Sequence, residues 1–177
     1  MRRAKKLAFA PPFLSNALGP PLMRSFFVVI FLCVAGSAVA AKEPVIGKEV
    51  ALKAASLFRN SDPYSEDGRG YAGILMQFTD KSPEVLVGIG HKALPFLSNK
   101  NLTVQENAIL IGAFLAGNVD SQLLRGQKKD DPYAGDLQVI ETYRAMQKKK
   151  PRFSVPEIEK LIALEEPGKL KAYLAAK

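Results

Sequence analysis

The sequence predicts an all-α protein: a compact bundle or a short array of stacked helical hairpins, with six or seven helices. Two observations carry this. Apolar residues recur at three- and four-residue spacing along the chain, and the alternation of a half-buried strand does not. The same opening grammar, a Ser, Thr or Asp followed by Pro or Glu, also precedes several apolar stretches, as at capped helix N-termini.

Residues 1–40 contain no Asp or Glu and stand apart from the rest. From Met23 the order is a basic start at Arg24, an apolar run from Phe26 to Val34, and small residues at Ala38 and Ala40. That is the pattern of a secretory signal peptide cleaved after Ala40. Its apolar run is about ten residues, against the roughly 20 of a membrane-spanning helix, so no stable membrane insertion is expected after cleavage. The expected organisation is a targeting region over 1–40, with the signal peptide at about 23–40 and a start at Met1 or Met23, followed by a single helical domain over 41–177. The expected destination is periplasmic or secreted.

Five of the 25 basic residues precede residue 41 and all 17 acids follow it, which lowers the net charge of the mature part to +3. The strongly basic balance of the whole chain therefore belongs partly to the leader, and no nucleic-acid partner is implied. The one cysteine, Cys33, lies within the leader, so a disulfide framework and a thiol nucleophile are both excluded from the mature part.

The elements follow in order. Val50, Ala54, Leu57 and Phe58 fall on one helical face, as do Tyr71, Ile74, Leu75 and Phe78. Ser82, Pro83 and Glu84 then suit the start of a helix that Pro95 ends at Leu94, with His91 near its C-terminus. Thr103 and Glu106 have capping-box spacing, and the run from Ala108 to Gly117 is apolar on nearly every face. This helix is expected at the centre, with Gly112 and Gly117 admitting close neighbours. Asp131 and Pro132 open the next helix, where Asp136 stands near the positive end of the dipole. Its apolar arc is Tyr133, Leu137, Ile140, Tyr143 and Met146. Ser154, Pro156 and Glu157 open another, and Leu170, Tyr173 and Leu174 make a short last one.

Over about residues 71–118, and best in "ALPFLSNKNLTVQENAILIGAFLAG" with Ala93, Leu94, Phe96, Leu97, Val104 and Ala108 at its apolar positions, the chain resembles HEAT-type or armadillo-type helical repeats. The resemblance implies stacked helical hairpins and protein binding.

Catalytic chemistry finds little footing. One histidine cannot build a zinc site, and no nucleophile motif accompanies it. The acidic pairs Glu66-Asp67 and Asp130-Asp131, and Asp136 with Glu141, lack the facing geometry of an acid–base pair. No catalytic, cofactor-binding or metal-ligating residue is therefore assigned. The leading expectation is an exported, non-catalytic protein-binding protein, such as an adaptor, inhibitor or immunity-like protein, whose partner is another exported protein. Tyr64, Tyr71, Arg125 and Tyr133 are its expected contact residues, because tyrosine and arginine anchor interfaces. Two alternatives remain: a small hydrolase built on Glu66, Asp67 or Asp131, and a carrier with an enclosed apolar cavity for a lipid-like ligand.

Overall fold

The computed structural model describes residues 45–91, 93–165 and 168–176, so the expected leader and its cleavage point lie outside the described residues. The architecture is all-α. Among the described residues, six helices run in the order α1 (Lys48–Asn60), α2 (Glu66–Lys81), α3 (Val104–Arg125), α4 (Pro132–Lys149), α5 (Pro156–Glu165) and α6 (Leu170–Ala175), with a short 3-10 turn at Pro95–Ser98 before α3.

The longest helix, α3, is the axis around which α1, α2 and α4 pack, while α5 and α6 close over α4. Its start is the expected capping box. Thr103 Oγ1 accepts from the Glu106 amide at 3.2 Å, and Glu106 Oε2 accepts from the Thr103 amide at 3.0 Å. Gly112 and Gly117 let the neighbours in. A Cβ on Gly112 would stand 2.6 Å from Ala72 Cβ on α2, and one on Gly117 would stand 2.8 Å from the Ala134 carbonyl carbon on α4. Phe114 at the middle of α3 is fully buried, whereas Ile111 is only partly so.

α1 turns a different edge inward than the apolar spacing suggests. Ala51, Ala54, Ala55 and Phe58 are buried, and Val50 and Leu57 lie outside. Three alanines allow close backbone packing that the larger Val50 and Leu57 would prevent. On α2 the expected face is present but rotated towards Ala72, with Leu75 and Phe78 buried and Tyr71 and Ile74 half-buried against the core.

The larger correction concerns the described residues from 82 to 94, which form no helix. Ser82 ends α2, and its hydroxyl accepts from the Glu84 amide in a tight turn. Beyond it the chain has no regular structure through Gly90, and His91 is exposed in a turn. Gly88 and Gly90 disfavour helix, and Val85, Val87 and Ile89 are β-branched and prefer extended backbone. Pro95 opens the 3-10 turn, where a helix ending at Leu94 was expected. Val85 in this irregular stretch is buried, while Val104 at the start of α3 is 89% exposed, so the two halves of the repeat-like stretch have different structures.

Tyr143 ties α5 to α4. Its buried hydroxyl donates to Glu159 Oε1 at 2.8 Å and accepts from the Val155 amide at 3.0 Å. Burial pushes this phenol up to about 12. Ile140, Leu161 and Leu170 form a second small core beneath α5 and α6.

Candidate functional site

Past its apolar run, the C-terminal end of α3 carries Asn118, Ser121 and Gln122 towards the neighbouring chain. Asn118 and Gln122 are four residues apart, so they share one face, and Ser121 stands beside them. The neighbouring chain satisfies all three. Gln122 clasps the segment that follows α2, with its Oε1 accepting from the Leu86 amide at 2.9 Å and its Nε2 donating to the Leu86 carbonyl at 2.8 Å. The same Nε2 donates to Asn118 Oδ1 at 2.7 Å, and Asn118 Nδ2 donates to Asp130 Oδ1 at 2.7 Å. Asn118 Oδ1 also accepts from the Asp131 amide at 3.2 Å.

Asp131 is the expected N-cap of α4, its Oδ1 accepting from the Ala134 amide at 3.2 Å. Its other oxygen accepts from Ser121 Oγ at 2.6 Å and pairs with Arg125 at 3.1 Å. Burial opposes its ionisation, but these hydrogen bonds and the Arg125 and Lys171 charges prevail and hold the carboxyl below its ordinary value. The result is a stiff polar floor that joins three separate pieces of chain.

Above this floor opens a cleft of about 470 Å³, whose walls include Arg125, Lys129, Asp131, Tyr133, Lys171 and Leu174. A second cleft of about 260 Å³ adjoins it across Asp130, Pro132 and Leu174, and is walled on the far side by Gly88, Ile89, Gly90 and Ala93. Both open to solvent. Leu86, Ile89 and Leu124 are exposed on the two elements that Gln122 joins.

Two of the four expected contact residues therefore meet here. The Arg125 side chain is 64% exposed, and the Tyr133 ring is half-buried with Lys171 Nζ 5.9 Å from its centroid. The other two stand elsewhere. Tyr64 lies beside Lys150, whose Nζ is 4.4 Å from the ring centroid and 3.0 Å from Glu106 at the start of α3. Glu106 and Arg125 are about 28 Å apart along the helix, at 1.5 Å per residue. Tyr71 packs half-buried against the core on α2.

The acidic residues do not converge. Glu66 and Asp67 are exposed in the first turn of α2, and Asp131 sits in the cleft. Glu141 is exposed on α4, whereas Asp136 is fully buried with no hydrogen-bond partner for either carboxyl oxygen. Among the described residues, no group of three or more His, Cys, Asp or Glu could hold a metal ion.

Spacing alone did not single out Asn118 and Gln122, and it brought up Asp130 only as half of an acidic pair. A signal was present in the sequence: two amide side chains, four residues apart, at the end of a run that has no other reason to be polar. Compared with known protein families, with curated proteins and with solved structures, the chain finds no match.

Proposed function

We propose that this chain is an exported, non-catalytic protein-binding protein whose contact surface is the cleft between the end of α3 and the start of α4. One observation carries the reading: Arg125 and Tyr133 flank an open cleft whose floor is already fixed by the hydrogen bonds of Asn118, Gln122 and Asp131. A floor held this way loses little freedom when a partner docks, and exposed Leu86, Ile89 and Leu124 offer apolar surface nearby. The leader-like residues 23–40 support export.

The test is photo-cross-linking in the native compartment, with a cross-linking side chain placed at position 133 of the tagged protein. The expected result is one stoichiometric protein partner, lost in an Arg125→Ala variant whose circular dichroism and melting are unchanged. A turnover signal, or a bound lipid with no protein partner, would overturn the reading.

A further inference from the structure

The last helix, α6, has two roles. It walls the larger cleft through Lys171 and Leu174, and it covers the face of α4 on which Asp136 lies. Asp136 shares that face with Pro132 and Ile140, one turn to either side, and with Tyr143, two turns on. Pro132 lines both clefts together with Leu174 of α6. Ile140 is buried with Leu170 of α6 and Leu161 of α5, and Tyr143 is bonded to Glu159 of α5. Asp136 therefore stands where α5 and α6 meet α4, fully buried, with no hydrogen-bond partner for either carboxyl oxygen.

No charge offsets that burial. On α5, Glu159 accepts from Tyr143 and Ser154, Glu157 accepts from Asn99, and Glu165 pairs with Arg144. Lys160 stands over the Tyr173 ring. On α6, Lys171 stands over the Tyr133 ring and Lys169 is exposed. On α3, Glu106, Asp120 and Arg125 are paired with Lys150, Arg59 and Asp131. Glu84 and His91, before α3, are exposed. Burial is thus the one cause that moves the Asp136 carboxyl, which it pushes up to about 8.

An unpaired carboxylate in such a place is strongly unfavourable, and the fold relieves it by moving the element that is held least. That element is α6. It has six residues, of which only Leu170 is buried. By contrast, α5 is tied to α4 through Tyr143 and through the Arg144–Glu165 pair. Between α5 and α6 lies Gly168, at φ 70°. Its amide and that of Lys169 donate back to the Glu165 and Leu164 carbonyls, so the turn belongs to α5 and α6 can swing from it.

We infer that α6 is a pH-sensitive wall of the cleft: when Asp136 ionises, α6 swings off α4, water reaches the carboxylate, and the cleft loses Lys171 and Leu174. The inference rests on the protein-binding reading above and adds its regulation. While the carboxyl keeps its proton, α6 is seated and the cleft is formed.

The experiment follows leucine methyl signals of the purified chain by NMR from about pH 6 to 9.5. Leu170 and Leu174 are expected to move to solvent-like shifts with a midpoint at about 8, while Leu75 and Leu110 of the main core keep theirs. In Asp136→Asn, of the same shape with no charge to gain, all four should stay in place. If that variant does not fold, Asp136→Leu makes the same comparison. Unmoved Leu170 and Leu174 signals, loss of all four together, or the same midpoint in the variant would each overturn the inference. Photo-cross-linking of the partner from position 133 should fall at least tenfold between about pH 6.5 and 9, and stay constant in Asp136→Asn. Equal capture at both pH values would end the inference and leave the protein-binding reading standing. Moved methyl signals with no partner captured at either pH would end that reading and leave α6 as the pH-sensitive element.

Discussion

Asp136 is the residue at which local grammar and three-dimensional environment disagree most. The fifth residue of a helix opened by Asp131-Pro132 reads as an acid placed to favour the dipole. In the fold it is fully buried, and burial pushes its carboxyl up to about 8. It shares a face with Tyr133 and Ile140, three and four residues away, and that face is covered by the α5–α6 core. No local spacing announces that cover, so the burial was not legible. The consequence is a pH dependence of unusual sign. An unfolded Asp titrates near 3.9. Between about 4 and 8 the folded state keeps a proton that the unfolded chain has released, so stability falls as pH rises through that window. The slope approaches about 1.4 kcal/mol per pH unit, and it flattens above about 8. Urea unfolding from pH 5 to 9 should show this fall, and Asp136→Leu should remove it and stabilise the protein at pH 8. A profile that rises towards pH 8, or that is the same in both proteins, would contradict the burial argument.

At the scale of elements, helix ends were legible where a cap and its acceptor lie within one turn, as at Thr103–Glu106 and at Asp131. They misled where the decisive partner is remote. Ser82-Pro83-Glu84 has the composition of a helix start, but the backbone of Leu86 finds its hydrogen bonds on Gln122, 36 residues later. Gln122→Ala should therefore free the segment without melting the bundle. Hydrogen exchange at Leu86 should rise sharply, and global stability should fall by about 1–3 kcal/mol, the cost of leaving buried polar groups unpaired. Retained protection at Leu86 would show that packing of Val85 alone holds the segment. The contact of α3 with α4 makes the opposite demand, for absence of a side chain. Gly117→Ala pushes a methyl into the backbone of α4 at Ala134, which cannot yield like a flexible side chain. Calorimetry should show a loss of about 1–3 kcal/mol despite alanine's better helix propensity. A gain would mean that α4 shifts freely.

For the whole molecule, the all-α class and a central helix were legible because an apolar run without a polar face can only be buried. The inward edge of α1 and the asymmetry within α3 were not, since they depend on which neighbour comes closest. Phe114 and Ile111 separate these two kinds of information. Both belong to the run from Ala108 to Gly117, but Phe114 is fully buried with its ring against Gly135 of α4, where a Cβ would stand 2.6 Å from the ring, while Ile111 is partly open. Phe114→Asp places a charge where neither water nor a counterion can reach it, and the penalty of several kcal/mol rivals the roughly 5–15 kcal/mol by which a domain of this size is stable. Ile111→Asp can turn its carboxylate outward and loses mainly the apolar burial, about 1–3 kcal/mol. Far-UV circular dichroism with urea titration should therefore find Phe114→Asp without a cooperative transition and Ile111→Asp helical, cooperative and less stable. If the two variants unfold alike, or if Phe114→Asp keeps a cooperative transition, α3 is not the axis around which the other helices are organised.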